Sequence, residues 1–406
     1  MSAERHFPAI HFKTRFPSLD GIRALAVTMV FMLHYGGGSH GGPILRALNA
    51  ARNYGWIGVD IFFVLSGFLI TGILFDTRND SHFFKRFYAR RSLRIFPVFY
   101  LVLVILLLLT PIFHYQWHWL QLTFWVYLGN IFANYDWSAT YLISRNHPNI
   151  ATATFAHFWT LCVEEQFYLI WPWAIWLIQD RVRIIWTAAG VSLLALCLRI
   201  ALVVHDYPNL ALGSITRILP SQMDTLLIGA ILALLLRGPK ADIWQKRCKF
   251  AFLYSGILLL LILCLPPSSR YAITLTAGFT LIAIASAGLI GSSLRPDSPT
   301  FRLFHLRPFR TLGKYSYGFY IFHGLYASAW IYLLKYIMNR SHSLALGGLI
   351  VLPCAFIVTF FVAKLSYELF EVRFLRWKNK FQYDSEQGSQ SDTSTFLSAD
   401  AEGPQS

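Results

Sequence analysis

Apolar stretches long enough to cross a membrane recur along almost the whole chain. Each is about twenty residues long, and an α-helix of that length spans the hydrocarbon core of a bilayer. The pattern therefore predicts an all-α, polytopic membrane protein with about ten transmembrane helices. The predicted spans are 19–35, 57–75, 96–113, 160–179, 184–204, 219–236, 250–266, 271–291, 314–337 and 345–364.

One further segment, 119–135, is aromatic but is interrupted by Gly129, Asn130 and Asn134. Basic loops stay on the cytoplasmic side of a membrane, so the basic clusters indicate whether this segment crosses. If it does not cross, every basic cluster lies in the cytoplasm; if it crosses, three of the clusters lie on the outer side. We therefore expect both termini in the cytoplasm and an outer loop, 114–158, that dips into the interface. The basic clusters are 5–15, 85–94, 181–183, 237–249, 295–314 and 373–380.

The composition agrees with a membrane protein, because 55% of the residues are hydrophobic and only 14% are charged. The net charge of +15 is spread over the loops, so we attribute it to topology and lipid headgroups and predict no nucleic-acid partner. The five cysteines have no metal-ligand spacing, so we predict no metal site and no bound cofactor. We expect 1–15 to be a cytoplasmic segment and 371–406 to be a cytoplasmic, largely disordered tail.

An arginine and a histidine lie inside the first apolar stretch, RALAVTMVFMLHY. On a helix, His34 returns to within about 20° of the face of Arg23 and lies about 16 Å further along the axis. Ionisable groups are costly in hydrocarbon and are rare unless they face an internal cavity. We therefore predict that both side chains line one functional stripe, although Arg23 also has Asp20 or a lipid headgroup as a simpler partner.

The predicted topology sorts the other intramembrane polar groups by depth. Acids fall toward the outer side and arginines toward the inner side, with Ser316 near the inner end of its span and His323 near the middle. An arginine cluster can bind phosphates, and a histidine beside a carboxylate can act as a general base on a hydroxyl. A long, thin donor that is phosphorylated at one end and reactive at the other fits between them, and acyl-coenzyme A has that shape. The outer acids are Asp60, Glu164 and Asp224, and the inner arginines are Arg90, Arg91 and Arg94.

Six blocks, in order from about residue 16 to residue 370, resemble the acyltransferase-3 family of integral membrane O-acyltransferases. The first block carries the family's arginine and histidine with ten residues between them, and the third carries an arginine pair separated by two residues. The blocks read FPSLDGIRALAVTMVFMLH, GVDIFFVLSGFLIT, RRSLRIFP, FWTLCVEEQFYLIWP, LPSQMDTLLIGAILA and LGKYSYGFYIFH.

The resemblance implies that 16–370 is a membrane acyltransferase domain in the cell's inner membrane. Such an enzyme transfers an acyl group, usually acetyl, from cytoplasmic acyl-CoA to a hydroxyl, often on a carbohydrate of the cell envelope. On this reading His34 and Glu164 are catalytic, and we expect the two to pair because their depths match. Arg23, Arg91 and Arg94 would bind the donor. Candidate supporting residues are Asp60, Asp224, Ser316, Tyr317 and His323.

The chain departs from the family pattern at two places. Gln222 stands where a basic residue is expected before Met223 and Asp224, so a polar contact near Asp224 is expected to differ. No hydrolase-like domain follows the last span, so we expect the membrane domain to complete the transfer alone or to pass the acyl group to a separate partner.

Two other functions fit the same intramembrane groups. Acids and histidines also form proton relays in secondary transporters, but such transporters usually contain internal repeats, and we find none here. The chain could also carry acyl groups to a second enzyme. The role of His34 as general base or as transient acyl carrier stays open, as does the identity of the acceptor.

Overall fold

The computed structural model describes residue 11 and residues 16–35, 52–132, 136–206 and 216–384. Helices dominate this part of the chain, as the apolar pattern predicts. The α-helices are α1 (Pro17–His34), α2 (Ile57–Asp76), α3 (Phe83–Leu108), α4 (Thr110–Phe113), α5 (Gly129–Phe132), α6 (Trp159–Ile178), α7 (Arg181–Asp206), α8 (Leu219–Leu235), α9 (Ala241–Leu263), α10 (Pro267–Ile273), α11 (Phe279–Ser292), α12 (Pro299–Phe304), α13 (Arg307–Lys314), α14 (Ser316–Leu325), α15 (Ala327–Ser341), α16 (Leu344–Ser366) and α17 (Val372–Trp377). Turns of π-helix, Thr274–Gly278 and Tyr367–Glu371, continue α10 into α11 and α16 into α17.

Within the described residues, five helical stretches are long and apolar enough to cross a membrane. They are Ile57–Asp76, Phe83–Leu108, Arg181–His205, Pro267–Ser292 and Leu346–Phe381. The other predicted spans are also helical, but they are shorter or more polar; α8 has 17 residues, for example. The all-α membrane character is therefore confirmed, whereas ten spans and cytoplasmic termini stay predictions.

The predicted span 314–337 is not one helix. It consists of the end of α13, then α14 and α15, with a break at Tyr326 between the last two. Both sides of the break are apolar, so hydropathy alone contains no signal for it. The break is important for the site because it leaves His323 on the last turn of α14.

The segment between α3 and α6, which the sequence predicts to be an outer loop, is mostly irregular. It contains a 3₁₀-helix, Trp119–Val126, which at about 2 Å per residue is too short to cross a bilayer. A small antiparallel sheet joins β1 (Tyr115–Gln116), β2 (Tyr141–Ser144) and β3 (Ala153–Thr154) in that order. Strands of two to four residues have no readable periodicity, which is why the sequence did not predict them.

Glycines bring α2 and α8 into close contact. A Cβ atom on Gly67 would lie 1.8 Å from the carbonyl oxygen of Leu226, and one on Gly229 would lie 2.0 Å from that of Val64. Small residues at such crossings are typical of membrane helix pairs, where backbone proximity replaces the hydrophobic drive of water. This approach places the buried acids of the two helices in one cluster.

Candidate active site

A cavity of about 210 Å³ lies between α1, α2, α3, α6 and α14. These five helices are distant in sequence, so the long-range packing of the fold creates the cavity. Six of the side chains that the sequence singled out line it: Arg23, Arg91, Arg94, Glu164, Ser316 and Tyr317. Three further polar side chains, Ser66, Thr160 and Tyr320, complete the polar part of the lining.

The Arg91 guanidinium is surrounded by groups of opposite charge or high electron density. It donates to the Tyr168 hydroxyl and lies over the Tyr168 ring, 4.1 Å from its centroid. The carboxylates of Glu164 and Glu165 both act on it electrostatically. Arg91 is therefore largely neutralised by protein groups, and it fixes α3 against α6.

Arg94 differs from Arg91, although it is only one turn away on the same helix. Its side chain is exposed within the cavity, and it makes no hydrogen bond or ion pair with any described residue. Arg23 reaches the same cavity but pairs with Asp20 at 2.6 Å, and both of these side chains are 19% exposed. Arg94 is thus the guanidinium best placed to receive an anion.

Glu164 and His34 do not meet in the structure. The Glu164 carboxylate interacts with Arg91 and with the hydroxyls of Ser66 and Tyr168. The His34 side chain instead bonds through Nδ1 to the Val30 carbonyl, at 2.9 Å. The expected pairing is therefore corrected, because Glu164 is held by groups of α2, α3 and its own helix, and the His34 ring by a carbonyl of its own helix.

Three histidines gather where α1 and α14 end and α6 begins. The ring centroids of His34 and His323 are 5.0 Å apart, and those of His323 and His157 are 4.8 Å apart. We call these three residues the histidine cluster. The Tyr35 hydroxyl donates to the His323 carbonyl and so ties the end of α1 to α14. No group of three potential ligand side chains within the described ranges has a geometry suited to a metal ion.

Two hydroxyls link the cavity to the histidine cluster. Tyr320 Oη donates to the His157 carbonyl at 2.8 Å, and Thr160 Oγ1 donates to the same oxygen at 3.2 Å. The two hydroxyls are also 2.6 Å from each other. The cavity therefore has arginines in one region and these hydroxyls, directly beside the histidines, in another.

The acids Asp60 and Asp224 form a separate buried cluster with Arg199. Arg199 donates to both carboxylate oxygens of Asp224, at 2.7 and 2.5 Å, and neither side chain has any exposed surface. Asp60 is 1% exposed, interacts electrostatically with both, and has an oxygen without a hydrogen bond in the described part of the chain. Gln222 turns away, donating to the Thr216 carbonyl at 2.7 Å. Arg199 thus supplies the cation that the family pattern leads one to expect at 222.

Sequence reasoning missed His157 and Arg199. Arg199 was detectable, since it is a charged residue within an apolar span, which is the same signal that singled out Arg23. His157 lies in the 3₁₀ turn Ala156–Phe158 in front of α6, where no periodicity reveals its direction. Tyr317, by contrast, was singled out, and its hydroxyl donates to the Ile95 carbonyl at 2.6 Å, joining α14 to α3.

Residues 16–368 match the family model described as an acyltransferase domain. The chain belongs to the acyltransferase-3 family. This assignment covers all the helices that surround the cavity and the histidine cluster. No solved structure matches the chain.

Among relatives, the putative peptidoglycan O-acetyltransferase YrhL of Bacillus subtilis (strain 168) is 31% identical over 326 residues, covering 76% of this chain and 48% of the relative. The O-acetyltransferase OatA of Staphylococcus aureus (strain NCTC 8325 / PS 47) is 30% identical, covering 76% of this chain and 50% of the relative. The peptidoglycan O-acetyltransferase OatA of Listeria monocytogenes is 29% identical, covering 76% and 48%. The chain thus spans about half the length of the curated relatives that it matches.

Proposed function

We propose that this member of the acyltransferase-3 family is a membrane O-acyltransferase that moves an acetyl group from acetyl-CoA to a hydroxyl of a cell-envelope carbohydrate. The observation that carries the proposal is one cavity lined both by arginines and by the Thr160–Tyr320 hydroxyl pair, whose hydroxyls bond to the His157 carbonyl in the histidine cluster that also holds His34. A donor bound in this way has its charge at the arginines and its thioester near the histidines.

The arginines favour a phosphorylated donor. A guanidinium binds phosphate through paired, charge-assisted hydrogen bonds, and Arg94 has its donors available. The cavity volume of about 210 Å³ is smaller than typical pockets for whole ligands. It therefore suits a thin thioester arm, with the nucleotide of the donor remaining outside.

The acceptor class follows from the relatives and from the histidine. Two of them are named for O-acetyl transfer to peptidoglycan, so we assign a carbohydrate hydroxyl to this chain as well. His34 is half-buried, with the Nδ1 proton engaged by a carbonyl, which leaves Nε2 free as a base. In the step we propose, Nε2 takes the hydroxyl proton while the hydroxyl oxygen attacks the thioester carbon. The carbon–sulfur bond then breaks, and the proton passes to the departing thiolate.

Purified protein in lipid vesicles, given acetyl-labelled acetyl-CoA and soluble peptidoglycan fragments, tests this function. We expect labelled ester on the glycan, and a loss of about a hundred-fold or more with His34→Ala, because a positioned general base contributes that much. His147→Gln, at an exposed loop position, serves as the matched control. Uptake of label without ester would indicate a transporter, and a labelled protein that never releases its acetyl group would indicate a carrier; either result refutes the proposal.

A further inference from the structure

Each ring of the histidine cluster is hydrogen-bonded to the main chain. His34 Nδ1 lies 2.9 Å from the Val30 oxygen, His323 Nδ1 lies 2.6 Å from that of Tyr320, and His157 Nε2 lies 3.0 Å from that of Ile321. A carbonyl only accepts hydrogen bonds, so the contacting nitrogen of each ring carries the proton. In the neutral ring the second nitrogen is then a lone-pair acceptor.

Two of these lone pairs are buried without a donor. His323 Nε2 and His157 Nδ1 have no hydrogen-bond partner among the described residues, and their residues are 0% and 2% exposed. A buried acceptor left unpaired costs about 1–3 kcal/mol, and the fold keeps two such acceptors here. Unpaired buried groups of this kind occur where a site has to accept something during its function.

No carboxylate faces the cluster in the part of the chain that the structure describes. The groups that act electrostatically on the His157 and His323 rings are the other imidazoles of the cluster. Around the rings the titratable side chains are phenols: Tyr35 on α1, Tyr320 on α14 and Tyr326 at the α14–α15 break. Glu164 acts on Tyr320 but on none of the three rings. The described residues therefore offer these rings no carboxylate, the usual partner of a histidine base.

We propose that His323, supported by His157, takes the place of that carboxylate and shares the proton that His34 removes from the acceptor. The inference rests on the proposed acyl transfer. The acceptor O–H bond breaks and its proton moves to His34 Nε2. In this scheme the unpartnered Nε2 lone pair of His323 accepts a hydrogen bond from the charged His34 ring, whose centroid is 5.0 Å away, and the His157 ring lies beside His323 at 4.8 Å. When the carbon–sulfur bond breaks, the thiolate takes the electron pair and then the proton, so the cluster ends neutral and no further reactant is needed.

His323 and His157 are positioning residues in this scheme, and substitutions that separate shape from proton affinity test them. His323→Gln keeps hydrogen bonding, His323→Phe keeps an aromatic ring, and neither can hold the proton. We expect both to lower kcat about ten-fold or more, to leave the KM for acetyl-CoA unchanged, and to move the acid limb of the pH–rate profile to lower pH. His147→Gln again serves as the control.

Gly324 offers a second route that leaves every imidazole in place. A Cβ atom there would lie 2.3 Å from both Cε1 and Nδ1 of His157, so Gly324→Ala has to displace that ring from its present contact with His323. Gly190→Ala is the matched control, because nothing lies within 4 Å of its added carbon. We expect the pH–rate profile to shift for Gly324→Ala only, in protein that remains folded by size-exclusion chromatography.

The outcomes separate the two levels of the proposal. If wild-type protein transfers no acetyl group, the proposed function fails. If wild-type protein is active and His323→Phe is equally active, or if kcat falls with an unchanged pH profile, the ring has only a packing role. Either of these latter results overturns the proton-sharing role and leaves the acyl transfer intact.

Discussion

The buried pair of Arg199 and Asp224 gives the sharpest test of the fold. Arg199→Met removes the only cation of the cluster in the described ranges and keeps much of the side-chain volume. It leaves Asp224 without its bidentate partner and leaves Asp60 beside a second carboxylate. The remaining protein donor to Asp224 is the Thr280 hydroxyl, at 2.6 Å.

The magnitude follows from burial, since both side chains of the ion pair have 0% exposed surface. Removing one partner of such a pair costs about 3–5 kcal/mol, because the other charge stays buried and uncompensated. Replacing both partners by apolar residues is often close to neutral. Arg199→Met with Asp224→Leu is therefore expected to be more stable than Arg199→Met alone, by roughly 2 kcal/mol or more.

Reversible unfolding of the detergent-solubilised protein by denaturant measures these differences for wild type, both single variants and the double variant. Arg302→Met, which removes an exposed arginine on α12, controls for the loss of a positive charge. If Arg199→Met unfolds at the same denaturant concentration as Arg302→Met, the ion pair does not stabilise the fold and the reasoning is wrong. If the destabilisations of the two single variants simply add in the double variant, the reasoning is equally contradicted.

Three other substitutions give independent tests. Arg94→Ala removes an unpaired guanidinium, so we expect donor affinity to fall roughly thirty-fold, or about 2 kcal/mol, and an unchanged KM for acetyl-CoA would contradict the donor site. Gly67→Ala forces a carbon against the Leu226 carbonyl, so unfolding in detergent should become easier by about 1–3 kcal/mol. Hydrogen bonds and charge from Ser81 and Arg86 lower the pKa of Asp384 to about 2. The carboxylate is thus charged in the folded chain above that pH, so the Ser81 amide that donates to it should keep its protection from exchange, relative to the intrinsic rate, at pH 4 and lose it toward pH 2. Asp384→Asn should lower that protection at every pH.

The positions of single helices could be read from the sequence, but the contacts between them could not. Arg23, Arg91 and Arg94 were predicted to act together, and they do line one cavity. Periodicity and a depth estimate suffice for such a prediction, because three arginines at one depth have few other places to point. Their individual roles were not predictable, since only the packing of α3 on α6 neutralises Arg91 and leaves Arg94 available.

The wrongly predicted partner of His34 shows that an estimate of depth in the membrane does not by itself predict which side chains are in contact. Glu164 was placed at the level of His34, whereas the residue of α6 that lies beside the histidine cluster is Thr160. These two residues of α6 are one turn apart, about 6 Å, so the depth estimate was wrong by only that much. Thr160 and Glu164 both line the cavity from one face of α6, so the position along the helix axis decides which of them lies beside the histidine cluster. His157 was missed because a 3₁₀ turn of three residues has no periodicity from which the direction of its side chains can be predicted.

The charges of the cavity and of the histidine cluster suit the two reactants of the proposed transfer. Arg91 interacts with Glu164 and Glu165, and Arg23 pairs with Asp20, whereas Arg94 interacts with acids only at longer range and hydrogen-bonds to none of the described residues. A guanidinium without protein hydrogen bonds keeps its donors available for an anion. The histidine cluster is the opposite case, because two of its nitrogens are buried acceptors that have no donor among the described residues. An anionic thioester donor and a hydroxyl acceptor meet both requirements at once, and the proton released by the acceptor is the species that the imidazoles lack.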